Sequence, residues 1–113
     1  MEVNTMKKPD VMEVILSENN RLTQLLLSEA YEMANEDMYA IPIRIKQLCV
    51  RKEVLVENYR NQILIHDHFK DEMRSLLSAI YCQVILARDI AIISSEKEGE
   101  LKTQIRRLAS LIN

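Results

Sequence analysis

The strongest pattern in the sequence is the return of apolar residues at intervals of three or four positions, the repeat of one face of an α-helix. The clearest run extends from Phe69 to Ala91, where intervals of four and three alternate with a single four-four step. Such alternation is typical of the seams along which helices pack in coiled coils. The run therefore predicts a long helix with a seam of Phe69, Met73, Leu76, Ile80, Val84, Ala87 and Ala91.

Three further segments repeat this spacing and predict further helices. They extend from Val11 to Met33, from Ile41 to Tyr59 and from Leu101 to Ile112. Residues 1–8 have no such pattern and are predicted to be a flexible N-terminus, which leaves residues 9–113 as a single helical domain. Long amphipathic helices joined by short connections pack antiparallel. The predicted fold is all-α, an antiparallel helical bundle of three to four helices with coiled-coil-like packing.

The number of helices depends on two candidate breaks in the middle of the chain. Inside a helix, Pro42 would lose a hydrogen bond and clash with the preceding turn at a cost of about 3 kcal/mol. We therefore expect either a kink or a short connection near residues 39–42. Asp67 suits the N-cap of a helix and predicts a turn near residues 65–68. Because no glycine or proline lies there, a continuous helix is the alternative.

Polar residues nearer the two ends of the chain mark two further positions where a helix could begin, end or continue. Asn19 and Asn20 interrupt the first apolar stripe, and they belong either to a solvated stretch of one helix or to a break. Ser95 and Glu98 match a capping box that would begin the last helix. Gly99 offers the alternative of ending the helix before it.

Composition and charge exclude several classes of protein. One glycine and two prolines in 113 residues cannot supply the many turns of a β-sandwich or barrel. The net charge is −2 and the basic residues are spread along the chain, so we expect no nucleic-acid binding. The longest apolar stretch, Ile80 to Ile93, is interrupted by charged residues and is too short to span a bilayer. We expect no membrane span and a cytoplasmic location.

No motif for catalysis or metal binding stands out. His66 and His68 are two positions apart, whereas zinc-binding histidines on a helix are four apart and share one face. Either histidine could form a dyad with Cys49 or Cys82, but no local motif marks such a pair. A single glycine excludes a glycine-rich phosphate loop. We therefore expect no enzymatic activity, no metal and no cofactor.

The chain holds more apolar residues than the helical seams require. Slender helices have a limited mutual interior, and leftover apolar stripes commonly mark an oligomer or a groove for a partner helix. We therefore predict binding to another protein through helix–helix contacts, with a homodimer as the second arrangement. The residues that fall partly off the seams are Val14, Leu16, Leu27, Ile43, Val50, Val54, Val56, Ile90 and Ile93.

A longer pattern combines a paired leucine, a glutamate, apolar steps and an acidic residue within residues 26–59. It consists of Leu26-Leu27-Ser28-Glu29, Met33, Asp37, Ile41, Ile45, Leu48, Lys52, Leu55 and Tyr59. This pattern resembles the first long helix of the flagellar export chaperones of the FlgN type. Members of that family are small, cytoplasmic, all-helical proteins that bind the C-terminal helices of hook–filament junction subunits before type III export.

The resemblance implies that a client lies along the C-terminal half of the chain. The partner-binding groove that it implies consists of Leu76, Ile80, Val84 and Ala87. The alternative function is a coiled-coil subunit of a multi-protein structural assembly, of the kinetochore or tethering type.

Overall fold

The helical prediction is confirmed in a computed structural model, which describes residues 11–33 and 40–112. These residues form four α-helices joined by short connections. The predicted flexible terminus, residues 1–8, lies outside the described residues. The helices are α1 (Val11–Met33), α2 (Ile41–Arg60), α3 (His66–Asp89) and α4 (Ser95–Ile112).

The four helices form a ring around a shared core. α1 packs against α2 and α4, α3 packs against the same two helices, and the diagonal pairs are not in contact. Near the end of α3, Arg88 lies 3.8 Å from Glu98, which is near the start of α4. Earlier in α3, the Tyr81 hydroxyl accepts a hydrogen bond from Arg106, which lies later in α4. α3 and α4 are therefore antiparallel, as short connections between bundle helices require.

Apolar residues from all four helices form one contiguous core. The predicted seam of α3 is buried from Phe69 to Ala87, whereas Ala91, its predicted last member, lies beyond the end of the helix and is exposed. Each large aliphatic side chain withdrawn from water contributes about 1.5–3 kcal/mol to folding. A helix able to span a membrane is absent from the described part of the chain. The other helices contribute Ile15, Leu22, Leu26, Met33, Ile41, Ile45, Cys49, Val56, Leu101, Ile105, Leu108 and Ile112 to the core.

The start of α2 decides between the two interpretations of Pro42. The helix begins at Ile41, so the proline lies in the first turn, where its missing N–H breaks no helical hydrogen bond. Ala40 precedes the helix in a left-handed conformation with φ 59°. Its carbonyl accepts the Arg44 N–H at 3.0 Å. Pro42 therefore marks the start of a helix and not a kink; residues 34–39 lie outside the described residues.

α1 continues without a break through Asn19 and Asn20. Asn20 is exposed, whereas Asn19 is buried. The helix keeps this buried amide because its polar atoms bond to side chains of α2, as described below. Of the two interpretations of this stretch, a single helix is confirmed.

α2 and α3 end with the same backbone motif. Gln62 and Ala91 follow the two helices with φ values of 62° and 64°. Each donates its N–H to the carbonyl three residues earlier, and the next residue donates to the carbonyl five residues earlier. These are the two hydrogen bonds of a Schellman motif, which usually places glycine at the left-handed position. Both helices therefore end on residues that carry a Cβ.

The turn between α2 and α3 lies earlier than residues 65–68, where the sequence placed it. It occupies residues 61–65, and Ile65 is the N-cap of α3 with no side-chain cap. Asp67 is not the N-cap but lies in the first turn of α3, where a negative charge interacts favourably with the helix dipole. The N-cap prediction was wrong because the Schellman motif after α2 sets the position of the turn.

The start of α4 differs from both sequence-based interpretations. The Ser94 hydroxyl accepts the backbone N–H three residues later at 3.1 Å, so Ser94 is the capping residue. Ser95 instead accepts a hydrogen bond from the Arg88 Nε at 3.0 Å. Gly99 lies inside α4 and does not end α3. The cap therefore lies one residue earlier than predicted, and because residue 97 is a lysine it is a simple N-cap and not a capping box.

We expect Ala91→Gly to stabilise the bundle, because glycine adopts the left-handed conformation without the steric cost of a Cβ. The expected gain in the free energy of unfolding is about 0.5–1 kcal/mol, measured by urea denaturation. The matched control is Ala109→Gly inside α4, where the same change should cost about 1 kcal/mol. A loss of stability in both variants would contradict the strain assigned to Ala91.

Candidate interaction surface

The structure corrects the predicted groove on α3. Leu76 is 5% exposed, and Ile80, Val84 and Ala87 are 0% exposed. These residues lie on the face of α3 that packs into the bundle, because α3 has a neighbouring helix on each side. Its most apolar face is therefore core and forms no exposed groove.

α2 instead carries an apolar stripe on its outer side. Ile43 is 57% exposed, Val50 is 63% exposed and Val54 is 54% exposed. Intervals of seven and four place them on one helical face. The buried residues of α2, such as Ile45, project toward the opposite side of the helix. We call Ile43, Val50 and Val54 the outer stripe; all three had been noted in the sequence as apolar residues off the main seams.

A shallow outer groove runs between α2 and α3 beside this stripe. At one end it is lined by Val50, Val54, Leu55 and Leu76, together with Arg51, Asn58 and Glu72. At the other end it is lined by Arg44, Gln47, Leu48, Arg51, Ala79 and Gln83. Arg51 belongs to both ends, so the groove is continuous. It includes only one member of the predicted groove, Leu76, which lies at its base.

The α3 wall of the outer groove follows its own helical repeat. Glu72, Leu76, Ala79 and Gln83 follow one another at intervals of four, three and four. Leu86 comes three residues later on the same face and is 37% exposed. Two adjacent helices with parallel seams of this kind form the surface on which a third helix packs in a coiled coil.

Polar groups in the outer groove are left without partners. Arg44 and Arg51 are exposed, and within the described residues neither forms an ion pair. The Gln83 Oε1 atom is buried and accepts no hydrogen bond from the described part of the chain. A buried acceptor without a donor costs about 1–3 kcal/mol, so this amide leaves the packing of α2 on α3 locally unsatisfied.

A buried lysine determines which face of α2 turns outward. Lys52 is 0% exposed, and its Nζ donates to the Asn19 Oδ1 at 2.6 Å and to Thr23 Oγ1. Nζ also lies 3.0 Å from the Glu53 Oε2. The same carboxylate accepts hydrogen bonds from the Asn19 Nδ2 at 2.8 Å and from Thr23 at 2.9 Å. We call Asn19, Thr23, Lys52 and Glu53 the lysine network; it links α1 to α2.

Burial and charge act in opposite directions on the pKa values of this network. Burial lowers the pKa of Lys52, and the Glu53 carboxylate only partly offsets that effect. Burial alone would raise the pKa of Glu53, but the Lys52 charge and hydrogen bonds from Asn19, Lys52 and Thr23 hold it below its ordinary value. Glu53 therefore stays ionised and supplies the negative charge that a buried ammonium needs.

The geometry of the network positions the outer stripe. Val50 and Val54 lie two residues before and after Lys52, about 200° away around a helix with 3.6 residues per turn. When the Lys52 side chain is bonded inward to α1, both valines must point away from the core. The network thus sets the rotation of α2 about its own axis.

The histidines and cysteines that could have formed a dyad are not bonded to one another in the described structure. The Tyr59 hydroxyl and the His66 Nδ1 are hydrogen-bonded at 2.7 Å, and His68 is exposed. Cys49 is buried, whereas Cys82 is exposed, and neither forms a disulfide. No group of three metal-ligating side chains occurs among residues 11–33 and 40–112.

Sequence reasoning did not select the polar residues of this surface. Lys52 follows Ile45 by seven positions and precedes Val56 by four, so its place on the core stripe was visible in the spacing. Arg44 and Arg51 are also seven apart, which places them on one edge of α2. Nothing in the sequence distinguished the Gln83 amide, because its burial depends on how α2 packs on α3.

Comparison with known proteins leaves these residues as the basis for any functional argument. No protein family, curated protein or solved structure matches the chain. Its function must therefore follow from its own geometry.

We expect the acid sensitivity of the bundle to depend on Glu53. Because the pKa of Glu53 is lowered on folding, its contribution to stability is present above its unfolded value of 4.5 and is lost as the pH falls through the folded value. Glu53→Gln should destabilise the protein at about pH 7. The loss should be about 1 kcal/mol, since the carboxylate is 45% exposed and partly screened.

This difference from the wild type should shrink as the pH falls from about 5 to about 3, as measured by urea denaturation at each pH. Glu57→Gln removes the same charge one turn later, where the exposed carboxylate lies 3.6 Å from Arg60. This control should differ little from the wild type at either pH, because exposed ion pairs contribute little. A pH-independent effect of Glu53→Gln would contradict the role assigned to the network.

Proposed function

We propose that this chain is a non-catalytic binding protein that holds a helical segment of another protein against the outer face of α2 and α3. The outer stripe carries this proposal, because α2 already buries one apolar face in the core and exposes a second. Exposed apolar faces with helical spacing are a common docking surface for amphipathic helices. The groove beside the stripe is lined by arginine, amide and aliphatic groups, which can contact both the polar and the apolar side chains of a bound helix.

The size of the stripe suggests a reversible interaction. Full burial of a valine or isoleucine contributes about 1.5–3 kcal/mol, and these three side chains are already partly covered. Covering the rest would supply on the order of 3–4 kcal/mol before the entropy lost on association is subtracted. Apolar contact alone therefore supports at best millimolar affinity, and polar groups must contribute to any tighter binding.

We further propose that the protein is a cytoplasmic chaperone for a type III export substrate. The support is the pattern in residues 26–59 that resembles the first long helix of the flagellar chaperones of the FlgN type; its described members lie on two helices, α1 and α2. On α2 the outer stripe lies between the members of this pattern. The four-helix architecture agrees with a small all-helical chaperone. On this proposal the client is the C-terminal helix of a hook–filament junction subunit.

We expect the chain expressed alone to be a folded monomer with a cooperative thermal unfolding transition. A chaperone must persist without its client, and its own core already includes residues from all four helices. Light scattering gives the mass, and circular dichroism follows unfolding. Aggregation that is relieved only by co-expression with a partner would favour the alternative of an obligate subunit in a coiled-coil assembly.

We expect Val50→Glu to weaken binding to the C-terminal segment of a junction subunit at least ten-fold while the fold survives. The side chain is exposed, so the change should affect the partner more than the core. Isothermal titration calorimetry measures the affinity. Leu27→Glu makes the same kind of change on α1, where Leu27 is 41% exposed, and should bind like the wild type. Equal affinity of wild type and Val50→Glu would contradict the proposed surface.

A further inference from the structure

We propose that the outer groove between α2 and α3 takes an amphipathic helix of another protein with acidic residues along one edge. This inference rests on the proposed binding function and specifies the chemistry of the partner. It is carried by two features that lie together: an apolar seam and a pair of arginines that have no ion-pair partner among the described residues.

The arginines determine the charge of the partner. Arg44 and Arg51 are separated by seven residues, or about 10.5 Å along the helix. Both line the groove, and within the described residues no carboxylate pairs with either. A helix with Asp or Glu at two positions seven apart would match this row when laid beside α2. Arginine forms bidentate contacts with carboxylates, so two such pairs would fix the register of the bound helix.

The other wall of the groove determines where the partner's remaining groups lie. Ala79 is small and lets a helix approach α3 closely, and Leu76 lies at the base beneath the valines. Gln83 also lines this wall, but its buried Oε1 is out of reach of a bound side chain and does not select a residue of the partner. Glu72 lines the opposite end of the groove from Gln83, so acidic residues of the partner belong away from that end.

A second copy of this chain does not fit the same surface. In a two-fold symmetric pair, antiparallel α2 helices meet along the same edge. With the axis midway between the two arginines, Arg44 of each copy would approach Arg51 of the other. Like charges placed in this way disfavour the pair, whereas an acidic partner neutralises both. The stripe spans only twelve residues, about 17 Å, which is short for the roughly 800 Å² per subunit that a stable dimer buries.

Two synthetic helical peptides test the inference against the full chain. They share one apolar seam of about 20 residues and differ at two flanking positions seven apart, which hold Glu in one peptide and Lys in the other. Fluorescence anisotropy measures both affinities. We expect the wild type to bind the Glu peptide roughly ten-fold more tightly, with the preference reduced at about 0.5 M salt.

Charge reversal on the protein provides the decisive comparison. The double variant Arg44→Glu and Arg51→Glu should reverse the preference and bind the Lys peptide more tightly. The matched control, Arg21→Glu with Arg107→Glu, changes the net charge equally at the groove between α1 and α4. It should keep the wild-type preference for the Glu peptide. Circular dichroism should show the same helicity for all variants, because the four arginines are exposed.

The outcomes separate this inference from the function on which it rests. If both peptides bind equally and Val50→Glu abolishes binding, the acidic partner is wrong but the binding surface stands. If the control pair alters the preference as strongly as Arg44 and Arg51 do, binding is a general charge effect and the inference fails. Failure of both peptides to bind at about 1 mM overturns the inference and the proposed surface together. A wild-type dimer that Val50→Glu dissociates would assign the surface to a second copy.

Discussion

The buried ammonium group of Lys52 determines how α1 packs against α2. Removing such a charge from solvent costs several kcal/mol unless its hydrogen bonds are satisfied and an opposite charge is close. Here the Asn19 amide, the Thr23 hydroxyl and the Glu53 carboxylate meet both needs. Because this geometry tolerates little rotation, the network sets the orientation of α2 and keeps α1 continuous through the buried asparagine. Removing Glu53 would leave the buried ammonium of Lys52 without an opposite charge.

The two sides of the ring differ as a consequence. On the side of α1 and α4, the Gln104 side chain donates to the Glu18 carbonyl and carboxylate, and Lys97 lies 3.5 Å from the buried Glu29. On the side of α2 and α3, the described polar contact lies at one end, where the Tyr59 hydroxyl and the His66 Nδ1 are hydrogen-bonded at 2.7 Å. The rest of that junction presents the outer stripe and groove, where apolar and arginine side chains face solvent. This contrast is the reason for proposing the face of α2 and α3 as the partner surface.

The connections show how a chain with one glycine closes a four-helix bundle. Two helices end in Schellman motifs whose left-handed residues carry a Cβ, an arrangement that costs about 1–2 kcal/mol per residue. The free energy gained by burying apolar side chains of all four helices in one core offsets this cost. The positions of these turns also explain why the starts of α3 and α4 were predicted at the wrong residues. Asp67 and Ser95 are good capping residues, but the positions of the helix ends follow from the preceding turns and from the length of core to be covered.

The spacing of apolar residues by itself determined the helical class, the seams of α3 and α4 and the existence of surplus apolar positions. That information is local, because the repeat of a helix is visible in any window of a dozen residues. The tertiary structure alone decided which stripe becomes core. The most apolar helix, with Ile80 and Val84, is enclosed by its neighbours, whereas the weakly patterned α2 keeps a second face exposed. The partners that bond to Lys52 and the unpaired acceptor of Gln83 were beyond the sequence, since both arise from contacts between residues of different helices. A single sequence contains the faces of each helix but not the angles at which those faces meet.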